Sequence, residues 1–221
     1  MAAEGTVRLK LYTYWRSSAA YRVRIALNLK GLSFESIPIH LVRQGGEHNS
    51  EAYRSINPQG LVPVLVHGDQ IITQSLAICE YLDECFSHYP LLPADPLERA
   101  RVRSMALQVA CEIHPLNNLR VQKYLASACA ENLDAVAWMS HWMSSGFEAI
   151  ERQLGKWDRG DTACLGEQPG LFECFLVPQV YNADRYGVDM SPYPEISKIV
   201  GYCRKRPEFL QAAPENQADA T

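Results

Sequence analysis

Two serines, Ser17 and Ser18, follow Arg16 where the sequence changes from a strand pattern to a helix pattern. Backbone N–H groups at a helix start have no internal partner and together carry about half a positive charge. An anion such as a carboxylate or thiolate is stabilised there, and serine hydroxyls can donate to the same anion. The alternative is that serine only caps the helix, as it does in many proteins.

Two further segments have the same kind of chemistry. Proline follows Val62 after an extended run, and a cis proline there would leave the Val62 backbone exposed to pair with a peptide-like ligand. An ordinary edge-strand proline is the alternative. Gln74 and Ser75 stand at the start of the next helix, a position suited to a carboxylate, although a simple serine cap would also explain them.

The period of the apolar residues predicts the elements that position these segments. Strands are predicted at Leu9 to Tyr14, Phe34 to Ile39, Val62 to Val66 and Gln70 to Thr73, and helices at Ser18 to Lys30, Asn49 to Ile56 and from Ser75 onward. The order βαβαββα indicates a thioredoxin-like α/β domain over residues 1–87.

The second half of the chain shows a different pattern. Residues 86–96 contain three prolines and have no period, which is typical of a linker. Helical patterns then occupy roughly 97–126, 133–154, 171–186 and 194–205, so residues 88–221 are predicted to form an all-α domain. The tail after Phe209 is polar and is expected to be mobile at its end.

The composition excludes several function classes. The chain has 221 residues, 47% of them hydrophobic, and a net charge of -4, which gives no electrostatic footprint for nucleic acid or anionic lipid. It has no apolar leader and no stretch near the ~18 apolar residues of a membrane span, so we expect a cytoplasmic protein. The seven cysteines form no C-x-x-C pair and are expected to be reduced, and no metal site is predicted.

The three segments are predicted to converge on one face of the thioredoxin-like domain, and that face fits glutathione. Over Leu9 to Pro214 the chain resembles the zeta class of glutathione transferases. The motifs that carry the resemblance are Tyr14-Trp15-Arg16-Ser17-Ser18, Arg22-Val23-Arg24-Ile25-Ala26-Leu27, Asn57-Pro58, Val62-Pro63, Gln74-Ser75-Leu76-Ala77-Ile78 and Leu176-Val177-Pro178-Gln179-Val180. The resemblance implies glutathione as cofactor, a homodimer, and glutathione contacts from Ser17, Ser18, His48, Val62, Gln74 and Ser75.

Four residues of the second half complete the candidate site. His114 and Asn118 have the i, i+4 spacing of one helix face, and Pro115 is expected to kink that helix. The alternative is a kinked helix with a satisfied histidine. The resemblance implies that His114, Asn118 and Arg120 face the glutathione and substrate cleft and that Arg185 binds substrate. For Arg185 a surface ion pair with Asp184 or Glu173 is the alternative.

The resemblance implies an enzyme that isomerises maleylacetoacetate, a cis dicarboxylate of tyrosine and phenylalanine catabolism, to fumarylacetoacetate by reversible addition of glutathione thiolate. The candidate catalytic residues are Arg16, Ser17, Ser18 and Arg185. Isomerisation of maleylpyruvate is the first alternative. A non-catalytic glutathione-binding protein and a general glutathione transferase are the others. A thiol transferase is disfavoured, because that chemistry needs a protein thiol.

The chain departs from the family pattern at two places. Ala19 stands where many zeta sequences have cysteine, so no protein thiol lies at the helix start. Further on, the usual Thr-x-x-Asp capping box appears as Gly170-Leu171-Phe172-Glu173. Glycine caps a helix tolerably and Glu173 can still reach the cap amide, so we expect a modest loss of stability and the same fold.

Overall fold

The computed structural model describes residues 8–128, 134–157, 162–164 and 167–221. They divide into two compact units: the described residues up to Leu91 together with Pro207–Thr221, and the described part of Leu92–Arg206. The first is a thioredoxin-like α/β unit and the second is helical, which confirms the predicted fold class. Among the described helices, none combines the length and apolar content that crossing a bilayer requires.

The first unit has the predicted order βαβαββα. Its elements are β1 (Leu9–Thr13), α1 (Ser18–Leu29), β2 (Phe34–Pro38), α2 (Glu51–Ile56), β3 (Val64–His67), β4 (Gln70–Thr73) and α3 (Ser75–Cys85). The four strands are arranged as β2-β1-β3-β4, with β2 parallel to β1 and the other two pairs antiparallel. Two short 3-10 turns, Arg43–Gly45 and Glu47–Asn49, precede α2.

The register of the sheet brings three chain segments to one edge. Tyr12 near the end of β1 pairs with Val64 at the start of β3, and Val64 also pairs with Thr73 at the end of β4. The chain therefore leaves β1 and β4 and enters β3 at the same edge. Since α1 follows β1 and α3 follows β4, both helix N-termini lie there as well.

The second unit contains α4 (Pro96–Leu107), α5 (Leu119–Ala128), α6 (Ala135–Leu154), α7 (Leu171–Arg185) and α8 (Pro194–Cys203). The single helix expected over 97–126 is wrong. After α4 the chain passes through a π-helix (Gln108–Ile113) and a 3-10 helix (His114–Asn117), and Asn118 is extended with φ -71° and ψ 144°.

The reason for this break is that Pro115 has no N–H to donate and cannot continue an α-helix, whereas the first turn of a new helix tolerates it. Consequently, His114 and Asn118 do not lie on one helix face. Their i, i+4 spacing had indicated that they would. The two side chains belong to different local conformations, one at the start of the 3-10 helix and one beyond its end.

The predicted boundary, 1–87 and 88–221, assigned the whole C-terminus to the helical domain, whereas the structure groups Pro207–Thr221 with the first unit. A ninth helix, α9 (Pro207–Ala212), packs on α1, and the Arg24 Nε donates to the Ala212 carbonyl at 2.9 Å. The tail expected to be mobile instead continues as a 3-10 turn, Pro214–Asn216.

The segment after α3 is held in the first unit by a buried lysine. The Lys30 ammonium, 2% exposed, lies 3.0 Å from the Asp83 carboxylate and donates to the carbonyls of Phe86, His88 and Tyr89 at 2.8, 3.2 and 3.0 Å. A buried ammonium needs such partners, so the chain after residue 87 stays with α1 and α3.

The start of α7 shows how the altered capping box works. Glu173, 2% exposed, accepts the Gly170 N–H at 2.7 Å and the Cys164 N–H at 2.6 Å. This confirms that Glu173 reaches back to the cap amide. Gly170 has no side chain to accept an N–H from the first turn, so only one half of the reciprocal pair is made.

Restoring the missing cap oxygen should stabilise the protein slightly. We expect Gly170→Thr to add a few tenths of a kcal/mol, which raises Tm by about 1 °C for a chain of this length. Gly170→Ala is the matched control, because alanine caps worse than glycine and should lower Tm. Scanning calorimetry of the three proteins checks this, and equal Tm values for wild type and Gly170→Thr would contradict it.

Candidate functional site

The turn between β1 and α1 presents two serines at a helix start. Ser17 is the N-cap of α1, its Oγ accepting the Ala20 N–H at 3.2 Å, and Ser18 is the first helical residue. Capping occupies a lone pair of Ser17 and leaves the hydroxyl hydrogen to be donated. The capping role and the anion-binding role are therefore compatible, and both serines are half-buried at the edge of the sheet.

A buried arginine fixes this turn from inside the unit. The Arg24 guanidinium, 1% exposed, donates to Thr13 Oγ1 at 3.1 Å and to the Trp15 carbonyl at 2.9 Å. Arg16 is exposed, and its guanidinium carbon lies 5.1 Å from the centre of the Trp15 ring, within cation–π range. The Arg16 guanidinium is thus an exposed cation beside a backbone turn that Arg24 holds by hydrogen bonds.

The segment before β3 is fixed by two side chains that converge on one carbonyl. The Leu61 oxygen accepts the Tyr53 hydroxyl at 2.7 Å and the Asn57 amide at 2.8 Å. Burial raises the pKa of Tyr53, which keeps its hydroxyl protonated as a donor. Val62 follows, joined to Pro63 by a cis peptide bond, and β3 begins only at Val64. The Val62 backbone therefore lies outside the strand ladder.

Gln74 and Ser75 occupy the third segment at this edge. Gln74 has φ of 70°, in the left-handed region that non-glycine residues seldom adopt, and its Nε2 donates to Gln59 Oε1 at 2.9 Å. Ser75 opens α3, and its Oγ accepts from the Arg22 Nη1 at 3.2 Å. Backbone strain of this kind persists where the surroundings enforce it, often at ligand clamps.

His48 is half-buried in the second 3-10 turn, close to the segment that leads into Val62. A Cβ added at Gly60 would lie 3.0 Å from the His48 carbonyl oxygen, and one added at Gly46 would lie 2.3 Å from the His48 ring. Gly46 also has φ of 101°, which favours glycine. Because neither glycine has a side chain, the loop that carries His48 can pack closely against the segment that leads into Val62.

The other four candidates lie in the second unit. His114 is half-buried at the start of the 3-10 helix, and Asn118 Oδ1 accepts the Arg120 N–H at 3.1 Å, which caps the start of α5. Arg120 and Arg185 are both exposed.

Arg185 does not form the ion pair with Asp184 or Glu173 that the sequence suggested as an alternative. Asp184 pairs with Arg204 at 2.6 Å, and Glu173 is committed to the cap of α7. Arg185 itself lies 3.5 Å from Asn182 Oδ1, with its guanidinium carbon 5.5 Å from the centre of the Tyr186 ring. Its guanidinium therefore projects from the last turn of α7 without a carboxylate from either of those residues.

The start of α1 carries no cysteine. Alanine occupies position 19, and burial raises the pKa of the Cys79 thiol to about 12 and that of Cys203 above its ordinary value. Cys85 at the end of α3 and Cys111 in the π-helix are exposed, while Cys129 lies outside the described residues. The first turn of α1 therefore contains no thiol of its own.

Comparison with known proteins identifies the family. The family "Glutathione S-transferase, N-terminal domain" matches residues 7–84. A probable maleylacetoacetate isomerase of Vibrio cholerae is 47% identical over 96% of this chain and 98% of its own. The solved holo structure of a maleylpyruvate isomerase, described as a bacterial zeta-class glutathione S-transferase, is 43% identical with a TM-score of 0.92 over 96% of this chain and 100% of that chain.

The chain is a zeta-class glutathione transferase. A further solved relative, a maleylacetoacetate isomerase from Methylobacterium extorquens, has malonate and glutathione bound. It is 35% identical with a TM-score of 0.90, covering 96% of this transferase and 99% of that chain. At the sheet edge of the present transferase, the three segments present the hydroxyls of Ser17 and Ser18, the backbone of Val62 and the start of α3.

Sequence reasoning missed the residues that support the site from behind. Arg24, Tyr53 and Asn57 contact backbone atoms of the site segments, yet none was a candidate. One signal could have identified Arg24: it is a charged residue within the apolar stretch of α1. A charged side chain is buried there only when it is hydrogen-bonded, so its position indicates a structural contact.

The double anchor on Leu61 predicts a specific effect on glutathione binding. Tyr53→Phe removes one of the two donors, so we expect the glutathione Kd to rise about twofold to fivefold while Asn57 retains the other bond. Tyr81→Phe is the matched control, because the Tyr81 hydroxyl bonds His67 at 2.7 Å at the opposite end of β3. Isothermal titration should show a shift for the first variant only, and equal Kd values for both would refute the anchor.

Proposed function

We propose that the protein catalyses the glutathione-dependent cis-trans isomerisation of maleylacetoacetate to fumarylacetoacetate. The observation that carries this proposal is the start of α1, where the hydroxyls of Ser17 and Ser18 stand beside an alanine in place of a thiol. Relatives at 47% and 45% identity are named as probable or established maleylacetoacetate isomerases, in Vibrio cholerae and Pseudomonas aeruginosa.

The first unit is proposed to bind glutathione at the edge described above. The hydroxyls of Ser17 and Ser18 donate to the sulfur, and the Val62 backbone pairs with the peptide part of the ligand. The start of α3 at Gln74 and Ser75 receives a carboxylate, because its backbone N–H groups have no partner within the helix. His48 contacts the ligand from the neighbouring loop.

When bound, glutathione supplies a thiolate that adds reversibly to the conjugated double bond, permits rotation and leaves again. The protein holds the anions around that event. Arg16, Arg120 and Arg185 are proposed to bind the substrate carboxylates and the carbonyl oxygen on which negative charge develops, since a guanidinium can donate to two oxygens at once and keeps its proton. His114 and Asn118 are proposed to contact glutathione and substrate from the second unit.

Magnitudes indicate which of these roles matters most. A thiol with pKa of about 8.5 is ~3% ionised at pH 7, and lowering the pKa to about 7 raises that fraction roughly sixteen-fold. Nucleophilicity falls about six-fold in parallel, which leaves a net gain of roughly three. Positioning and electrostatic stabilisation, each worth several kcal/mol in favourable cases, therefore exceed thiolate activation.

This balance predicts an order among the variants. We expect Arg16→Ala or Arg185→Ala to lower kcat about 100-fold, because each removes a charge that stabilises the developing anion, and Ser18→Ala to lower it only about threefold. Arg152→Ala is the control, since Arg152 pairs with Glu148 on the exposed face of α6. Steady-state kinetics with saturating glutathione measure this, and a larger loss for Ser18→Ala would reverse the assigned roles.

The test of the function itself is a spectrophotometric assay with maleylacetone, with and without glutathione. We expect isomerisation that requires glutathione and turnover that is higher than with maleylpyruvate. Faster turnover of maleylpyruvate would favour the second candidate, which a maleylpyruvate isomerase of Ralstonia at 43% identity supports. Retention on glutathione resin without any isomerisation would contradict both and favour a glutathione-binding protein. Conjugation of other electrophiles alone would indicate a general glutathione transferase.

The remaining parts of the proposal concern context. We propose a cytoplasmic homodimer in which the α/β unit binds glutathione and the helical unit binds a small dicarboxylate. The zeta-class membership supports the dimer, and the malonate bound in the Methylobacterium extorquens relative supports a dicarboxylate ligand. Neither nucleic acid nor a membrane is proposed as a partner.

A further inference from the structure

We propose that Asp219, two residues from the C-terminal Thr221, is a positioning residue for the isomerase site. Its carboxylate holds the Trp15 peptide and through it the turn that presents Arg16 and Ser17. The inference rests on the proposed function for its kinetic consequence, but its structural content, the order of the turn, can be measured without that activity.

The contact joins the two ends of the chain within the first unit. The Trp15 N–H donates to Asp219 Oδ2 at 3.0 Å, across 204 residues of sequence. Trp15 lies between the end of β1 at Thr13 and the start of α1 at Ser18, so neither element provides its N–H with a partner. A half-buried N–H needs an acceptor, and the half-buried Asp219 supplies a charged one.

The other side of Trp15 is tied to the same C-terminal segment. Its carbonyl accepts from the Arg24 Nη2 at 2.9 Å, and the Arg24 Nε donates to the Ala212 carbonyl at 2.9 Å. The backbone N–H and C=O of Trp15 are therefore both linked, directly or through one guanidinium, to residues after α9 begins. Displacing the chain from α9 onward would break the Trp15–Asp219 bond and would also remove the Ala212 carbonyl that orients Arg24.

The tail that carries Asp219 is itself held in one conformation. Gln217 Nε2 donates to the carbonyls of Gln211 and Ala213, both at 2.9 Å, and Asn216 Nδ2 donates to the Leu210 carbonyl at 2.7 Å. These amides fold the polar end of the chain back on α9. The Asp219 carboxylate is thus oriented before any ligand binds.

The turn transmits this restraint to the site residues. The Ser17 N–H donates to the Tyr14 carbonyl at 3.0 Å, which makes Trp15 and Arg16 the central pair of a four-residue turn. Rotation of the peptide before Trp15 would move the Arg16 guanidinium and the Ser17 hydroxyl together. Displacements of about 1 Å in catalytic groups can reduce rates as much as 100-fold, so a restraint at Trp15 has kinetic weight.

The experiment uses the full-length chain with Asp219→Ala and Asp219→Asn. For Asp219→Ala we expect faster hydrogen exchange at the Trp15 amide, observed by NMR, and a fall of about tenfold in kcat/KM for glutathione-dependent isomerisation. Asp219→Asn retains an acceptor oxygen and should recover most of both. Asp189→Ala is the matched control, because Asp189 accepts the Ser191 N–H at 2.9 Å in an exposed loop of the second unit.

The outcomes separate the two proposals. If Asp219→Ala leaves Trp15 exchange and kcat/KM at wild-type values, the positioning role is wrong. It is also wrong if kinetics fall equally in Asp219→Ala and Asp219→Asn, because the bond and not the charge is the stated cause. If the wild type shows no isomerisation, the proposed function fails, while Trp15 exchange and the glutathione Kd still test Asp219. If Asp219→Ala does not fold, Asp219→Asn is compared with wild type instead. Wild-type exchange at the Trp15 amide in that variant supports the hydrogen bond as the cause, and faster exchange contradicts it.

Discussion

The buried guanidinium of Arg24 is the constraint around which the glutathione-binding unit is organised. A guanidinium has five donors and stays charged, so taking it out of water is unfavourable unless the donors meet acceptors. Here the acceptors are Thr13, Trp15 and Ala212, which come from the end of β1, the turn before α1 and the C-terminal helix. Removing that one side chain would therefore unsettle three separate parts of the chain.

Arg22, two residues before Arg24 in α1, has a comparable role toward α3. It is 2% exposed and donates to Ser75 at the first residue of that helix. The helix α1 thus extends one cation toward the turn before its own start and another toward the start of α3. In a protein of net charge -4, the positive charge that matters for an anionic ligand is placed locally and inside the unit.

Local periodicity accounts for the part of the fold that was predicted. Strand β4 and helix α3 begin where the pattern placed them, at Gln70 and Ser75, because the hairpin and the helix are stabilised by neighbours in sequence. The break after Leu107 and the ordered tail were missed for a different reason. A change from π- to 3-10 pitch leaves the spacing of the apolar residues almost intact. A hydrogen bond such as that from Trp15 to Asp219 spans 204 residues and therefore has no periodic signal in the sequence. The segments proposed as the site could be recognised because each stands at an element boundary, whereas Tyr53 and Asn57 act through the backbone carbonyl of Leu61, a contact that no residue pattern indicates.

The alanine at position 19 has a redox consequence. With glutathione bound as proposed, a thiol at position 19 would stand near the ligand sulfur, and oxidised glutathione could exchange with it to leave a mixed disulfide on the protein. Alanine has no sulfur, so this position of α1 cannot be capped in that way or climb the cysteine oxidation ladder. The helix start therefore stays chemically unchanged when the ratio of reduced to oxidised glutathione falls.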